Sequence, residues 1–276
     1  MEPVKEWWQN SKGHKLFAWH LLPVIQPKAA ILLVHGHGEH SWRYLHWAKR
    51  FAYHGYAFYS WDHLGHGLSH GQRGHILHYE KFLLEIDRAI TKVHNEFPKL
   101  PIILYGHSMG GNIALNYCIT RPTKVKLLVV TSPWLRLVKP IHPVLDFFSR
   151  ILAVLLPFIP LKSTVKPEAI SHIDEEVQKY KTDPLIHNNI TPKLYVAIQN
   201  AAKFALGKAN RIKIPTLIMQ GDSDLVTSHL VTADIAQLIP QSTYIEWSGQ
   251  YHELHNETRN NEVFTAILEW LDARIK

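Results

Sequence analysis

The chain has 276 residues, of which 46% are hydrophobic and 19% charged, a composition typical of a globular protein with a sizeable core. It shows neither a signal-peptide pattern at its start nor an apolar stretch long enough to span a membrane. Its single cysteine, Cys118, excludes an internal disulfide, so we expect a cytoplasmic protein. Its net charge of +7 is spread along the chain without any nucleic-acid-binding motif, so we expect no nucleic-acid partner and leave contact with an anionic membrane surface open.

Short apolar runs that end in glycine- or proline-rich turns predict six strands. In chain order they cover residues 29–34, 56–61, 102–105, 127–130, 216–219 and 243–247. Helix-like stretches lie between or after them, at residues 44–54, 79–96, 110–120, 231–238 and 262–276. Because the runs are nearly continuous in apolar residues, we expect strands that are buried on both faces. The alternation of strands and helices predicts a mostly parallel sheet with helices on both faces, and ligands of such sheets bind beyond the carboxyl ends of the strands.

One long stretch interrupts this alternation. Residues 135–211 show helical patterns and no clear strand, and they include the apolar run at residues 151–161. We interpret them as a helical cap that is inserted into a core formed by residues 1–134 and 212–276. We expect the cap to line an acyl-binding tunnel, and we leave open whether its apolar face also rests on lipid.

A nucleophile motif follows the third predicted strand. Residues 106–110 read Gly-His-Ser-Met-Gly, with a strand-like run before them and a helix-like stretch after them. A serine on a tight turn between strand and helix is exposed above the sheet, and the N–H groups of the helix that starts there favour an oxyanion. This context matches the nucleophile elbow of the α/β-hydrolase fold and makes Ser108 the predicted nucleophile.

A serine hydroxyl needs a general base, and the base needs an acid that orients it. In the α/β-hydrolase fold these follow the nucleophile in the order acid, then histidine. The acid candidates are Asp222 and Asp224, after the fifth predicted strand, and the base candidates are His252 and His255, after the sixth. Spacing alone does not choose within either pair.

The turn after the first predicted strand offers donors for an oxyanion hole. Residues 35–38 read His-Gly-His-Gly, and a glycine-containing loop at that position can aim a backbone N–H at the reacting carbonyl. We expect the backbone amides of His37 and Met109 to be the two donors.

With these residues identified, the sequence resembles the monoacylglycerol lipase and lysophospholipase group of α/β-hydrolases, a family also described as serine aminopeptidase-like. The resemblance implies that Asp224 is the acid and His252 the base. It also implies that Glu39, Arg43 and His255 lie near the polar head of the substrate, although Glu39 and Arg43 could instead pair with each other and hold the loop. Four motifs carry the resemblance, at residues 35–44 (HGHGEHSWRY), 62–71 (DHLGHGLSHG), 106–111 (GHSMGG) and 249–253 (GQYHE).

The resemblance implies a serine hydrolase that cleaves fatty-acid esters, and a monoacylglycerol lipase is the first expectation. A lysophospholipase or a general carboxylesterase would use the same residues, and a non-catalytic binding protein of the same fold is a further alternative. Lipases of this group usually carry a small residue at the position of His37, so its ring is expected to narrow the site. We expect no cofactor, and no metal at the histidine-rich stretch formed by His63, His66, His70, His75 and His78.

Overall fold

The computed structural model describes residues 1–9, 13–121 and 124–275. Its main sheet has eight strands in the spatial order β1-β2-β4-β3-β5-β6-β9-β10, and all neighbouring pairs are parallel except β1 with β2 and β2 with β4. A separate antiparallel pair joins β7 to β8. The strands are β1 (Val4–Gln9), β2 (Lys15–Leu21), β3 (Ala29–Val34), β4 (Tyr56–Trp61), β5 (Ile102–His107), β6 (Leu127–Thr131), β7 (Leu161–Lys162), β8 (Asn189–Ile190), β9 (Thr216–Gly221) and β10 (Ser242–Trp247).

The helices follow the strands in the alternation that the sequence predicts. The α-helices are α1 (Leu45–Tyr53), α2 (Glu80–Glu96), α3 (Met109–Thr120), α4 (Pro143–Leu155), α5 (Asp174–Thr182), α6 (Pro192–Lys208), α7 (His229–Leu238) and α8 (Asn260–Asp272). Single 3₁₀ turns cover Ser41–Tyr44, Pro167–Ala169, Ala209–Arg211 and Leu254–Asn256. No helix in the described part of the chain is both long and apolar enough to cross a membrane.

Side chains alternate across the strands and divide the core into two layers. From β3, residues Ala30, Leu32 and Val34 enter one hydrophobic cluster, together with residues of α2, α3, α6 and α7. The intervening residues of β3 enter a second cluster with α1 and α8. A strand whose successive side chains are all buried in this way needs helices on both faces of its sheet. The prediction of a mostly parallel sheet covered on both faces is therefore confirmed.

Three parts of the prediction need correction. β1 and β2, which pair at one edge of the sheet, were not predicted. Residues 135–211 were predicted to hold no clear strand, but the short pair of β7 and β8 forms there. β1 is mostly exposed and rich in polar residues, so it lacks the apolar run that marks a buried strand. The last predicted helix ends at Asp272 instead of continuing to Lys276, which lies outside the described residues.

The chain between β6 and β9 lies over the carboxyl edge of the sheet and is bound to two core loops. We call residues 183–191 the strap. Its His187 N–H donates to the carbonyl of Gly38 over 2.9 Å, and Thr191 N–H donates to the carbonyl of Gly74, also over 2.9 Å. His40 Nε2 lies 2.8 Å from a carboxylate oxygen of Asp183 at the start of the strap. These contacts hold the strap against the loop that follows β3 and the loop that follows β4.

Candidate active site

Ser108 lies on a strained turn between β5 and α3. Its φ of 53° falls in the left-handed region that non-glycine residues rarely adopt. A Cβ atom added to Gly110 would lie 1.9 Å from the carbonyl oxygen of Val34, so only glycine fits two residues after the serine. Since α3 begins at Met109, its first N–H groups surround the serine, where they favour negative charge.

His252, in the cavity wall, and Asp224 form a buried pair. The distance between His252 Nδ1 and Asp224 Oδ2 is 2.8 Å, and the same carboxylate accepts hydrogen bonds from Gln220 and Thr227. Although burial opposes the charged ring, Asp224 raises the pKa of His252 above its ordinary value. Asp222, the other candidate acid, instead accepts a hydrogen bond from the backbone of the turn after β10. Of the two acid candidates, Asp224 is therefore the one in contact with His252.

The loop after β3 approaches the nucleophile closely. A Cβ atom on Gly36 would lie 3.2 Å from the Cβ of Ser108. His35 Nδ1 lies 2.8 Å from the carbonyl oxygen of Gly36, and Gly36 N–H donates to Glu39 over 2.6 Å. His63 N–H donates to His35 Nε2, so the Nδ1 of a neutral His35 carries the proton that binds Gly36. Each of the two peptide groups that flank Gly36 thus has one hydrogen bond, and the peptide group that carries the His37 N–H is held through its carbonyl oxygen.

Arg43 lies between two buried carboxylates beside the loop after β3. Its Nη1 donates to Glu39 over 2.8 Å and to Glu253 over 2.6 Å, and its Nη2 donates to Glu253 over 2.7 Å. Although burial opposes ionisation, Arg43 lowers the pKa of Glu253, whereas burial beside Glu253 raises the pKa of Glu39. Tyr44 OH donates to Glu39, which completes a hydrogen-bonded cluster. The alternative in which Glu39 and Arg43 pair and hold the loop thus describes contacts that are present.

The cavity beside Ser108 has a volume of about 510 Å³. Ser108, His252 and Glu39 line it, whereas Arg43 and His255 are not among the described residues of its wall. His255 is buried, and its ring stacks on Tyr44 at 4.4 Å between ring centroids. Apolar side chains form much of the remaining wall, among them Trp134, Leu137, Ile141, Ile170 and Val226.

Comparison with known proteins places the chain in a family. Residues 25–259 match the family profile described as serine aminopeptidase, S33. The chain belongs to this family. It is 30% identical over 255 residues to a monoacylglycerol lipase of Mycolicibacterium smegmatis, covering 90% of each chain. The crystal structure of Paleococcus ferrophilus monoacylglycerol lipase superposes with a TM-score of 0.87 at 29% identity, covering 94% of this chain and 99% of that one.

A third relative is much longer than this serine aminopeptidase family member. An uncharacterized abhydrolase domain-containing protein of Dictyostelium discoideum is 31% identical over 258 residues, and the match covers 92% of this chain but only 27% of that protein. Together these matches confirm the predicted resemblance, the α/β-hydrolase fold and the expectation of a carboxylic ester hydrolase.

Three side chains of this S33 family member lie close enough together to bind a metal ion, but the cation beside them is the Arg43 guanidinium. Among the described residues, ligand atoms of Glu39, Glu253 and His255 lie within 4.8 Å of one another. The Arg43 guanidinium binds both carboxylates, and a metal ion there would meet this positive charge. In the histidine-rich stretch, the members at positions 70 and 78 are exposed, while those at 63 and 66 are buried.

Three residues near this site were not predicted from the sequence. Glu253 follows the predicted base directly, and its pairing with Arg43 has no sequence signal beyond its charge. Thr227 donates to Asp224 and lies 3.4 Å from the Nδ1 of His252. His187, in the strap, lines the cavity, although it is far along the chain from Gly38, which it contacts.

Proposed function

We propose that the protein is a monoacylglycerol lipase that releases fatty acid and glycerol through an acyl-serine intermediate. The observation that carries the proposal is the single cavity that joins Ser108 and His252 to a largely apolar wall. An apolar wall suits a fatty acyl chain, and the two polar residues are those that acyl transfer needs. The similarity to two monoacylglycerol lipases supports the same substrate class.

In the proposed mechanism, His252 Nε2 accepts the proton of Ser108 as Oγ attacks the ester carbonyl. Asp224 accepts a hydrogen bond from Nδ1, which keeps the proton-accepting nitrogen free and stabilises the imidazolium that forms. The backbone amides of His37 and Met109 bind the oxyanion. His252 then protonates the leaving glycerol oxygen. Water, deprotonated by His252, attacks the acyl-serine and releases the fatty acid, and Ser108 regains its proton.

The experiment that tests the proposal is a hydrolysis panel with monoacylglycerols, lysophospholipids and short nitrophenyl esters. We expect monoacylglycerols to give the highest kcat/KM, and we expect Ser108→Ala to abolish it. Ser223→Ala is the matched control, because Ser223 contacts Asp222 outside the cavity. Turnover restricted to short esters would keep the serine mechanism but refute the lipase, and a preference for lysophospholipids would favour that alternative.

We propose further that the cap, residues 135–211, contacts lipid through α4. Of the thirteen residues of α4, only Ala153 is buried. The exposed side chains of Phe147, Phe148, Val154 and Leu155 form a large apolar surface, as is typical of membrane or partner contacts. The net charge of +7 would favour an anionic membrane, and the single cysteine is in keeping with a cytoplasmic location.

Co-sedimentation with anionic vesicles tests this contact. We expect Phe147→Glu combined with Phe148→Glu to reduce the bound fraction several-fold, since two charges would enter the apolar face. Leu84→Glu is the control, because Leu84 is an exposed apolar residue on α2, outside the cap. Equal binding by all three proteins would refute docking through α4.

A further inference from the structure

Three histidine rings meet at the cavity wall beside the expected oxyanion hole. His37 extends from the loop after β3 and His187 from the strap, and both line the cavity. Their ring centroids are 5.7 Å apart, with the rings nearly perpendicular at 89°. His66 packs behind them, 5.7 Å from His37 and 4.9 Å from His187. We call these three residues the histidine corner.

Each ring of the histidine corner has one buried nitrogen with no hydrogen-bond partner among the residues that the structure describes. These atoms are His37 Nε2, His66 Nε2 and His187 Nδ1. The other nitrogen of His187, Nε2, lies 3.1 Å from the carbonyl oxygen of Gly65. The other nitrogen of His66, Nδ1, lies 3.3 Å from the carbonyl oxygen of Leu64. A carbonyl oxygen only accepts hydrogen bonds, so these nitrogens carry the proton. In a neutral ring, His187 Nδ1 and His66 Nε2 are therefore acceptors.

The rings are neutral at physiological pH. Burial lowers the pKa of His187 to about 4, and burial together with His187 lowers the pKa of His37 to about 3. Burial also lowers the pKa of His66 well below its ordinary value. A buried acceptor without a donor is costly, and ligand hydroxyl groups are suitable donors. The histidine corner therefore offers neutral hydrogen-bond acceptors to whatever occupies this end of the cavity, whose wall also includes the cationic side chain of Lys162.

We propose that His37 and His187 form the subsite for the alcohol part of the ester, and that this subsite selects alcohols with free hydroxyl groups. The inference rests on the proposed function and deepens it. A saturated fatty acyl chain has no hydrogen-bond donor, whereas the glycerol part of a monoacylglycerol has two hydroxyl groups. The subsite thus favours polyol esters over simple alkyl esters.

This assignment differs from the one that the family resemblance implies. Arg43 and His255 do not reach the described cavity wall, while His37 and His187 do. The backbone amide of His37 is an expected oxyanion donor, so its side chain starts next to the reacting carbonyl. An alcohol oxygen bonded to that carbonyl is therefore close to the histidine corner.

The test compares two esters of one acyl chain, monodecanoylglycerol and ethyl decanoate. We expect His187→Leu to lower the ratio of their kcat/KM values, glycerol ester over ethyl ester, by roughly tenfold, since one acceptor is lost. In His187→Asn the side-chain oxygen can take the place of Nδ1, and we expect the ratio to stay within about threefold of wild type. Both variants lose the contact of Nε2 with Gly65, and of the two only the Asn variant keeps a side-chain acceptor.

Two further variants complete the experiment. His37→Ala should lower the same ratio, which keeps the proposal testable if His187→Leu does not fold. His229→Leu is the matched control, because His229 is paired with Glu246 at the surface and should leave the ratio unchanged.

Each outcome separates the subsite from the proposed function. Ratios equal to wild type in His187→Leu and His37→Ala would overturn the subsite while the lipase activity stands. An equal fall in His187→Asn and His187→Leu would assign the effect to the lost contact with Gly65 and would also overturn it. A wild-type protein that hydrolyses neither ester would refute the proposed function, and the subsite with it.

Discussion

Replacing Arg43 with methionine would test whether this residue supports the fold or contacts the substrate. The guanidinium makes three hydrogen bonds of 2.6 to 2.8 Å to Glu39 and Glu253, and its side chain is only 8% exposed. Removing one partner of such a buried pair typically costs about 3–5 kcal/mol, because uncompensated charge remains. For a chain of this size about 1 kcal/mol corresponds to roughly 2–4 °C, so we expect the Tm to fall by about 10 °C.

The loss should depend on pH in a defined direction. Without Arg43, Glu39 and Glu253 share a buried site with no cation, so their folded-state pKa values rise above those of the unfolded chain. The folded state then binds more protons than the unfolded state, and the variant regains stability as pH falls through these raised values. Adding Glu253→Gln to Arg43→Met removes one of the two carboxylates and should recover part of the Tm.

The assay is thermal unfolding at several pH values, beside the KM for a monoacylglycerol. We expect a lowered Tm at neutral pH, a smaller loss at acidic pH, and partial recovery in the double variant. A Tm within about 2 °C of wild type at all pH values, together with a large increase in KM, would refute the reasoning. That result would show that Arg43 binds substrate instead of holding the loop after β3.

Three other perturbations have directions that the structure fixes. Because His252 must be neutral to accept a proton and Asp224 raises its pKa, kcat/KM should fall as pH decreases through that raised pKa. Asp224→Asn should reduce kcat/KM by several orders of magnitude and move the acidic limb of the remaining activity to lower pH. Gly110→Ala would place a methyl group against the carbonyl of Val34, so we expect little folded protein in a circular dichroism melt, and a wild-type melting curve would contradict this. Burial raises the pKa of the Cys118 thiol, so a thiol-specific reagent should label it only after denaturation, and rapid labelling of the native protein would contradict its burial.

Local signals in the sequence predicted much of the central sheet. A buried parallel strand such as β3 is an apolar run ended by glycine, and the turn around Ser108 is set by residues within a few positions of it. β1 and β2 were missed because their pairing depends on each other and on β4. The exposed side chains of β1 follow no apolar pattern that a sequence can show.

The candidate site likewise has some residues that the sequence predicts and some contacts that it does not. Asp224 and His252 each follow a strand that ends at the same edge of the sheet, so strand order predicts that they approach each other. The contact between His37 and His187 depends instead on how the strap folds back over the core, and no local pattern encodes it. The family resemblance implied that Arg43 lies near the substrate. The burial of Arg43 between two carboxylates depends on packing that only the folded chain determines.

The strap gives the two halves of the proposed cap unequal freedom to change during evolution. α4 has one buried residue, so its sequence can drift toward different surfaces or acyl chains while the sheet below stays intact. The strap, by contrast, donates backbone N–H groups to the loop that holds Gly38 and to the loop that holds Gly74. An insertion or deletion within residues 183–191 would shift these donors out of register and disturb the loop beside the nucleophile. New substrate ranges in this scaffold should therefore arise first through α4, and relatives should vary in cap length there before they vary in the strap.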